Sequence, residues 1–249
     1  RRTWNWEIYP AIINDKEQTV LWPEEYTYEK LIKERDEVIG EKAFNKEYLC
    51  SPVWSEDAYF KKNDILNIID NGLKNITYYD NKEGMAIAGF DIGKMRHPSH
   101  FTVFFIKADF IVQIYQIFMD NWDYTKQIDH IQYLCEKLNI EKIYFDATRG
   151  ELEAFFEGGQ IHRTIWRGIK FNQMEKSRMA ANFQKIITKG NIRMQNDQRM
   201  IRSILSVNSN LEALETNEGH GDAFWSIALA LSHMSRSSNP VQIIGVKRI

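Results

Sequence analysis

The period of the apolar positions changes about a quarter of the way along the chain. Near the start, "WEIYPAII", a polar turn around Asn14 and Asp15, and "TVLWPEE" make two short strand-like pieces. "YTYEKLIKERDEVIG" then sets Tyr28, Leu31, Ile32, Arg35, Val38 and Ile39 near helical spacing, with Gly40 as the stop signal. "KAFNKEYLCSPVW" is expected to add a helical turn or two, broken by Pro52. With few buried strands of its own, segment 1–58 reads as a connector or as part of a preceding domain. The chain opens on "RRTWNW" rather than Met, which suggests a piece of something longer.

From about Phe60 the pattern becomes α/β. "MAIAGFDIG" is a nearly continuous apolar run, as expected of a central strand covered on both faces. "HFTVFFIKADFIVQIYQIFM" reads as two strands joined by a tight turn near Ala108 and Asp109, although no Gly or Asn there supplies positive φ. "DYTKQIDHIQYLCEKLNI" predicts a helix with Ile128, Ile131, Leu134, Cys135 and Leu138 on one face. Strand "KIYFD", helix "GELEAFFEGG", strand "HRTIW", a basic helix over 173–189, short helix "QRMIRSILSV" and an apolar helix in "EGHGDAFWSIALAL" complete the chain. Three strands followed by alternating helices and strands is the element order of a ribonuclease H-like fold: a mixed α/β sheet flanked by helices, expected over 59–249.

Composition adds bounds. The 249 residues are 43% hydrophobic and 13% aromatic, ample for a core, and the net charge of −2 by itself implies neither nucleic acid nor membrane. Cys50 and Cys135 form no metal-ligand spacing and read as ordinary thiols. No apolar run reaches the length of a membrane span.

Candidate chemistry lies at three element ends. Asp91 stands in or at the end of the first central strand, Asp146 ends "IYFD", and Asp222 opens the last helix. Carboxyl ends of neighbouring strands in an open sheet share one edge, and a helix packed across the sheet can add a third carboxylate there. Mg²⁺ and Mn²⁺ prefer such oxygen ligands, and two ions about 4 Å apart activate a water and stabilise the leaving oxygen of a phosphodiester. Without metal, clustered carboxylates repel one another and raise one another's pKa. The plainer alternative makes Asp222 and Asp146 helix N-caps. Asp91 resists it, because a charge between Phe90 and Ile92 is expensive without a partner.

On these residues the chain resembles the C-terminal nuclease domain of the large terminase subunit of tailed bacteriophages. "GFDIGKMRHPSHFTVFF" resembles the family's first acidic strand and loop, "KIYFDATRGELE" its second, and "HGDAFWSIALAL" its terminal acidic helix. "YPAII…LWPEE…FNKEYLCSPV" is similar to the stretch joining the packaging motor to the nuclease, so 1–58 would be the connector from a packaging-ATPase domain. The resemblance implies an endonuclease that cuts concatemeric viral DNA during packaging, with two Mg²⁺ or Mn²⁺ ions held by Asp91, Asp146 and Asp222. It implies double-stranded DNA, the packaging ATPase domain, the portal and the small terminase subunit as partners, no membrane, and the cytoplasm of the bacterial host as location. No G-x-x-x-x-G-K-[ST] loop occurs, so this chain is expected to cut DNA without hydrolysing ATP. "IHRTIWRGIKF" departs from the pattern in being unusually basic and aromatic.

A basic stretch suggests where DNA would lie. Over 161–202 stand Arg163, Arg167, Lys170, Lys176, Arg178, Lys185, Lys189, Arg193, Arg199 and Arg202, opposed only by Glu175 and Asp197. Helical phasing puts Arg178, Lys185 and Lys189 towards solvent, and Lys94, Arg167, Lys170, Lys176, Arg178 and Lys185 are the expected phosphate contacts, against an ordinary solvated face. His220, two residues before Asp222, is the histidine expected to support the leaving group, while His97 and His100 read as loop residues that shape a turn. Competing functions are a junction resolvase or transposase-type nuclease, which should carry a fourth acid or a specificity domain, and a non-catalytic DNA-clamping or docking module.

Overall fold

The computed structural model describes residues 9–40, 44, 47–49, 57–79, 84–93, 98–108, 110–213 and 221–234. The chain divides into two compact units, Arg1–Ser55 and Glu56–Ile249.

In the first unit, β1 (Ile12–Asn14) and β2 (Thr19–Val20) pair antiparallel. Asn14 Oδ1 closes their turn by accepting from the backbone of Lys16 and Glu17. Helix α1 (Tyr28–Lys33) is capped by the Thr27 hydroxyl and continues as a π-helical stretch, Glu34–Ile39, up to Gly40 in the left-handed region. Ala11, Ile12, Leu31 and Phe44 form a small core. Most of "KAFNKEYLCSPVW", including Cys50 and Pro52, lies outside the described residues.

The second unit is built on a seven-stranded sheet. Helix α2 (Lys62–Leu66) and the two-residue β3 (Ile69–Asp70) precede β4 (Met85–Asp91), β5 (Ser99–Lys107) and β6 (Phe110–Met119). Then follow α3 (Tyr124–Leu138), β7 (Ile140–Asp146), α4 (Glu153–Glu157), β8 (Trp166–Ile169), α5 (Gln173–Lys189), β9 (Ile192–Gln195), α6 (Gln198–Leu205) and α7 (Asp222–Leu231). Strand order is β3-β9-β6-β5-β4-β7-β8. Strands β4, β5 and β6 form an antiparallel meander, and β7 and β8 extend it parallel to β4. That is the ribonuclease H-like arrangement.

The tight β5–β6 turn falls where expected, and Ala108 itself takes the positive φ, +52°. The strand expected at "HRTIW" starts only at Trp166, since His162 O accepts from the backbone of Ile165 and Trp166 and closes a turn first. Strand β9 is additional: it lies between β3 and β6, parallel to both, and its "IRMQ" is too short for periodicity to signal.

Alternation sorts the sheet's two faces. Ala86, Ala88, Phe90, Phe101, Val103 and Phe145 belong to the core that includes Ile128, Ile131, Leu134 and Leu138 of α3. The intervening positions, Ile87, Gly89, Asp91, His100, Tyr144 and Asp146, fall on the opposite face, which α7 crosses. All ten residues of α7 are buried, as a helix apolar around nearly its whole circumference requires. Phe224 on α7 meets Phe60 and Phe183, their ring centroids 4.8–5.8 Å apart. Among the described residues no helix is long and apolar enough to cross a membrane.

Candidate active site

Asp91 and Asp146 are the last residues of β4 and β7. These strands are parallel neighbours with Phe90 opposite Phe145, so the two carboxylates follow in step, on one face, across strands about 4.8 Å apart. Asp222 arrives from α7. A Cβ built on Gly89 would lie 1.8 Å from Ser226 O and 2.6 Å from Ala230 N, so the helix backbone rests directly on the strand. Ser226 follows Asp222 by one helical turn, which carries the carboxylate to the end of the sheet where Asp91 stands.

The electrostatics record this convergence. Burial, then the charge of Asp222, then that of Asp146, push the Asp91 carboxyl well above the ordinary carboxylate range, against the downward pull of Lys176 and Arg149. Asp222 is only 5% exposed. The helix N-cap is not Asp222 but Gly221, in the left-handed region at φ +78°, so capping does not explain this acid. Nor does Asp146 cap α4, whose N-cap is Leu152. Instead Asp146 Oδ1 accepts from the backbone N–H and hydroxyl of Thr148, and the Thr148 hydroxyl oxygen accepts from Phe171 N at 2.8 Å, tying the ends of β7 and β8 together. No hydrogen bond engages Asp146 Oδ2 among the described residues.

Hard oxygen donors under mutual repulsion suit a divalent cation. Among the described residues, no three of His, Cys, Asp and Glu are gathered closely enough to form a ready metal cage. Mg²⁺ takes only one or two carboxylates and keeps part of its water, a chemistry that these oxygen donors fit.

Lys176 reaches the site from the first turn of α5, its Nζ 5.2 Å from the Trp225 ring centroid. Arg149, in the loop after Asp146, is the cation that the sequence pattern did not single out; its place three residues after the strand, in a βα loop, was the available signal. Arg167, Lys170 and Arg178 line a cleft of about 420 Å³ with Tyr144, Asn172 and His233. Arg178 is half-buried rather than solvent-facing, because Glu175 Oε2 pairs with it at 2.6 Å and Ser232 O accepts from its Nη1 at 3.4 Å. Lys185 is exposed and, nine residues beyond Lys176, faces the opposite side of α5. Arg163 pairs with Glu153 and Arg199 with Asp120, so tertiary contacts neutralise part of the basic stretch.

Lys94, His97, Gly219 and His220 lie outside the described residues. His100 does not shape a loop: it is a buried β5 residue, directly opposite Asp91 in the antiparallel pairing.

No protein-family model matches the sequence, and no curated protein does. The architecture is ribonuclease H-like, and it shares its fold with large terminase nuclease domains. The large terminase nuclease from thermophilic phage G20c, with bound magnesium, matches with a TM-score of 0.59 at 18% identity, over 72% of this chain and 98% of that one. The same nuclease also matches in cobalt-bound and zinc-bound forms. The Thermus phage P74-26 large terminase nuclease domain matches at 0.55 and 17%, over 69% and 94%. The HK97 bacteriophage large terminase matches at 0.55 and 9%, over 90% of this chain and 56% of that one.

Proposed function

We propose that this chain is a metal-dependent DNA endonuclease that cuts concatemeric viral DNA during genome packaging. The observation that carries the reading is the convergence of Asp91, Asp146 and Asp222, from two parallel strands and one helix, in a fold shared with metal-bound terminase nucleases. Asp91, Asp146 and Asp222 would hold two Mg²⁺ or Mn²⁺ ions, which supply charge stabilisation and water activation for phosphodiester hydrolysis.

The rest of the site orients and steers. Thr148 holds one oxygen of Asp146 and leaves the other for a ligand. Lys176 and Arg149 bring positive charge to the acidic edge, where it offsets a phosphodiester's charge during the approach. Arg167 and Lys170 extend that charge along the neighbouring cleft, where contact with the DNA backbone needs no base readout. His220, beside Asp222 in sequence, is assigned to support the leaving oxygen. Residues 1–58 serve as the connector to a packaging ATPase; the match to the HK97 large terminase extends beyond the second unit and so supports this reading. The portal, the small terminase subunit and the bacterial cytoplasm follow as its setting.

Purified protein incubated with plasmid DNA should cut it with Mg²⁺ or Mn²⁺ and not with EDTA. Asp91→Ala, Asp146→Ala and Asp222→Ala should each lose at least about a hundredfold in rate. Mn²⁺ should raise the melting temperature of the wild type but not of Asp91→Ala. No metal-dependent cutting, or full activity in all three variants, sinks the assignment.

A further inference from the structure

An apolar helix packed on a sheet has few directional contacts to set its rotation. Helix α7 presents Ala, Leu, Ile, Phe and Trp around nearly its whole circumference, yet Asp222 must stop at one place. A rotation of only about 20° would move a carboxylate at the helix surface by about 2 Å, close to a whole cation–oxygen bond length. Ser203 Oγ accepts from Ala223 N and Asn182 Nδ2 donates to Leu231 O, near the two ends of the helix. Between them a buried side-chain contact lies one turn beyond Asp222.

His100 Nδ1 lies 2.5 Å from Ser226 Oγ, and both side chains are fully buried. His100 stands beside Asp91 on the same face of the sheet. The imidazole is itself braced. Its Nε2 lies 3.1 Å from Gln116 Oε1, while Gln116 Nε2 donates to Asp197 Oδ2 at 2.9 Å. Asn75 holds the Gln116 backbone on both sides, accepting from its N–H and donating to its carbonyl, each at 2.8 Å. Asp197 in turn caps α6 through Met200 N. Because the Gln116 amide gives its N–H to a carboxylate, its oxygen faces the ring. His100 Nε2 must then carry the proton, and Nδ1 is left to accept from the Ser226 hydroxyl, for which Nδ1 at 2.5 Å is a nearer acceptor than Ala223 O at 3.1 Å.

We propose that His100 and Ser226 are positioning residues that set the rotation and height of α7, and thereby hold Asp222 at the distance from Asp91 that a divalent cation requires. The strand supplying Asp91 packs its Gly89 against the Ser226 backbone, and the neighbouring strand grips the Ser226 side chain. One residue of α7 is thus fixed from two strands, one turn from the metal-facing acid. This inference rests on the metal-nuclease reading above.

The test is Mn²⁺ affinity by calorimetry and electron paramagnetic resonance, with melting temperature alongside. Ser226→Ala keeps a good helix former and nearly the same volume, and should weaken Mn²⁺ binding about tenfold or more. His100→Leu should do the same. His100→Asn places an acceptor oxygen close to the Nδ1 position and should recover most of the affinity. Thr102→Val is the control: Thr102 is equally buried two residues along β5, but its hydroxyl serves Tyr115 O and Gln113. It should lower the melting temperature yet leave Mn²⁺ affinity at the wild-type value. If the wild type binds Mn²⁺ and Ser226→Ala binds it equally well, the positioning role is overturned while the nuclease reading stands. If the wild type binds no Mn²⁺, both are overturned.

Discussion

His100 and Asp91 are cross-strand neighbours that burial pushes towards the neutral form, with the charges of Asp222 and Asp146 adding to the effect at Asp91. Burial lowers the His100 pKa to about 4, since the charged imidazolium would lose its hydration. The sign for stability follows directly. As pH falls past about 6.5 the unfolded chain takes up a proton at this position that the folded chain refuses. Its contribution to stability is complete above that pH and is lost progressively down to about pH 4. Urea unfolding at pH 7.5, 6 and 5 should show this decline in the wild type and a flatter profile in His100→Asn; parallel profiles would refute it. Cys135 behaves as an inert thiol, burial pushing it up to about 12.

At the scale of elements, α5 divides its charges by phase. Lys176 reaches the acidic edge, Arg178 is committed to Glu175, and Lys185 faces the other way. The basic stretch is therefore not one DNA-binding face, and its sorting yields a prediction. The pair Arg167→Glu and Lys170→Glu should weaken DNA binding at moderate salt and reduce the steepness of its salt dependence. Lys185→Glu should leave both within about twofold of the wild type. Fluorescence anisotropy with a short duplex at three salt concentrations distinguishes them, and an equal loss in both variants would place the DNA elsewhere. Helix α7 shows the complementary division of labour. Its apolar circumference supplies burial and Gly89 beneath it supplies closeness, while Ser226, Ser203 bonded to Ala223 N and Asn182 bonded to Leu231 O carry direction.

For the whole molecule, the two units own separate cores. Leu31 and Phe44 pack with Ala11 and Ile12 in the first, while in the second one face of the sheet packs on α3 and the other on α7. Residues 56–249 should fold without the first unit, because each unit buries its own apolar residues. A chain of residues 56–249 is expected to melt cooperatively, within about 5 °C of the main transition of the full chain, and to retain metal-dependent cutting. An unfolded product would show that the first unit completes the second.

Much of this architecture was legible in local pattern. Continuous apolar runs marked β4 and β7, helical phasing marked α3 and α5, and the position of each acid at an element end followed from where those runs stop. These are properties of neighbouring residues, and neighbouring residues are what a linear pattern records. Strand β9, the turn before Trp166 and the left-handed Ala108 escaped it, since each depends on hydrogen bonds or chain reversal that short segments do not announce. The site divides in the same way. The sequence by itself determined which carboxylates were available and that an apolar helix would bear one of them. Only the tertiary structure decided that Gly89 lets that helix touch the strand, that Gly221 rather than Asp222 caps it, and that His100 belongs to the core. Those outcomes depend on distances between residues far apart in the chain, and packing alone sets such distances.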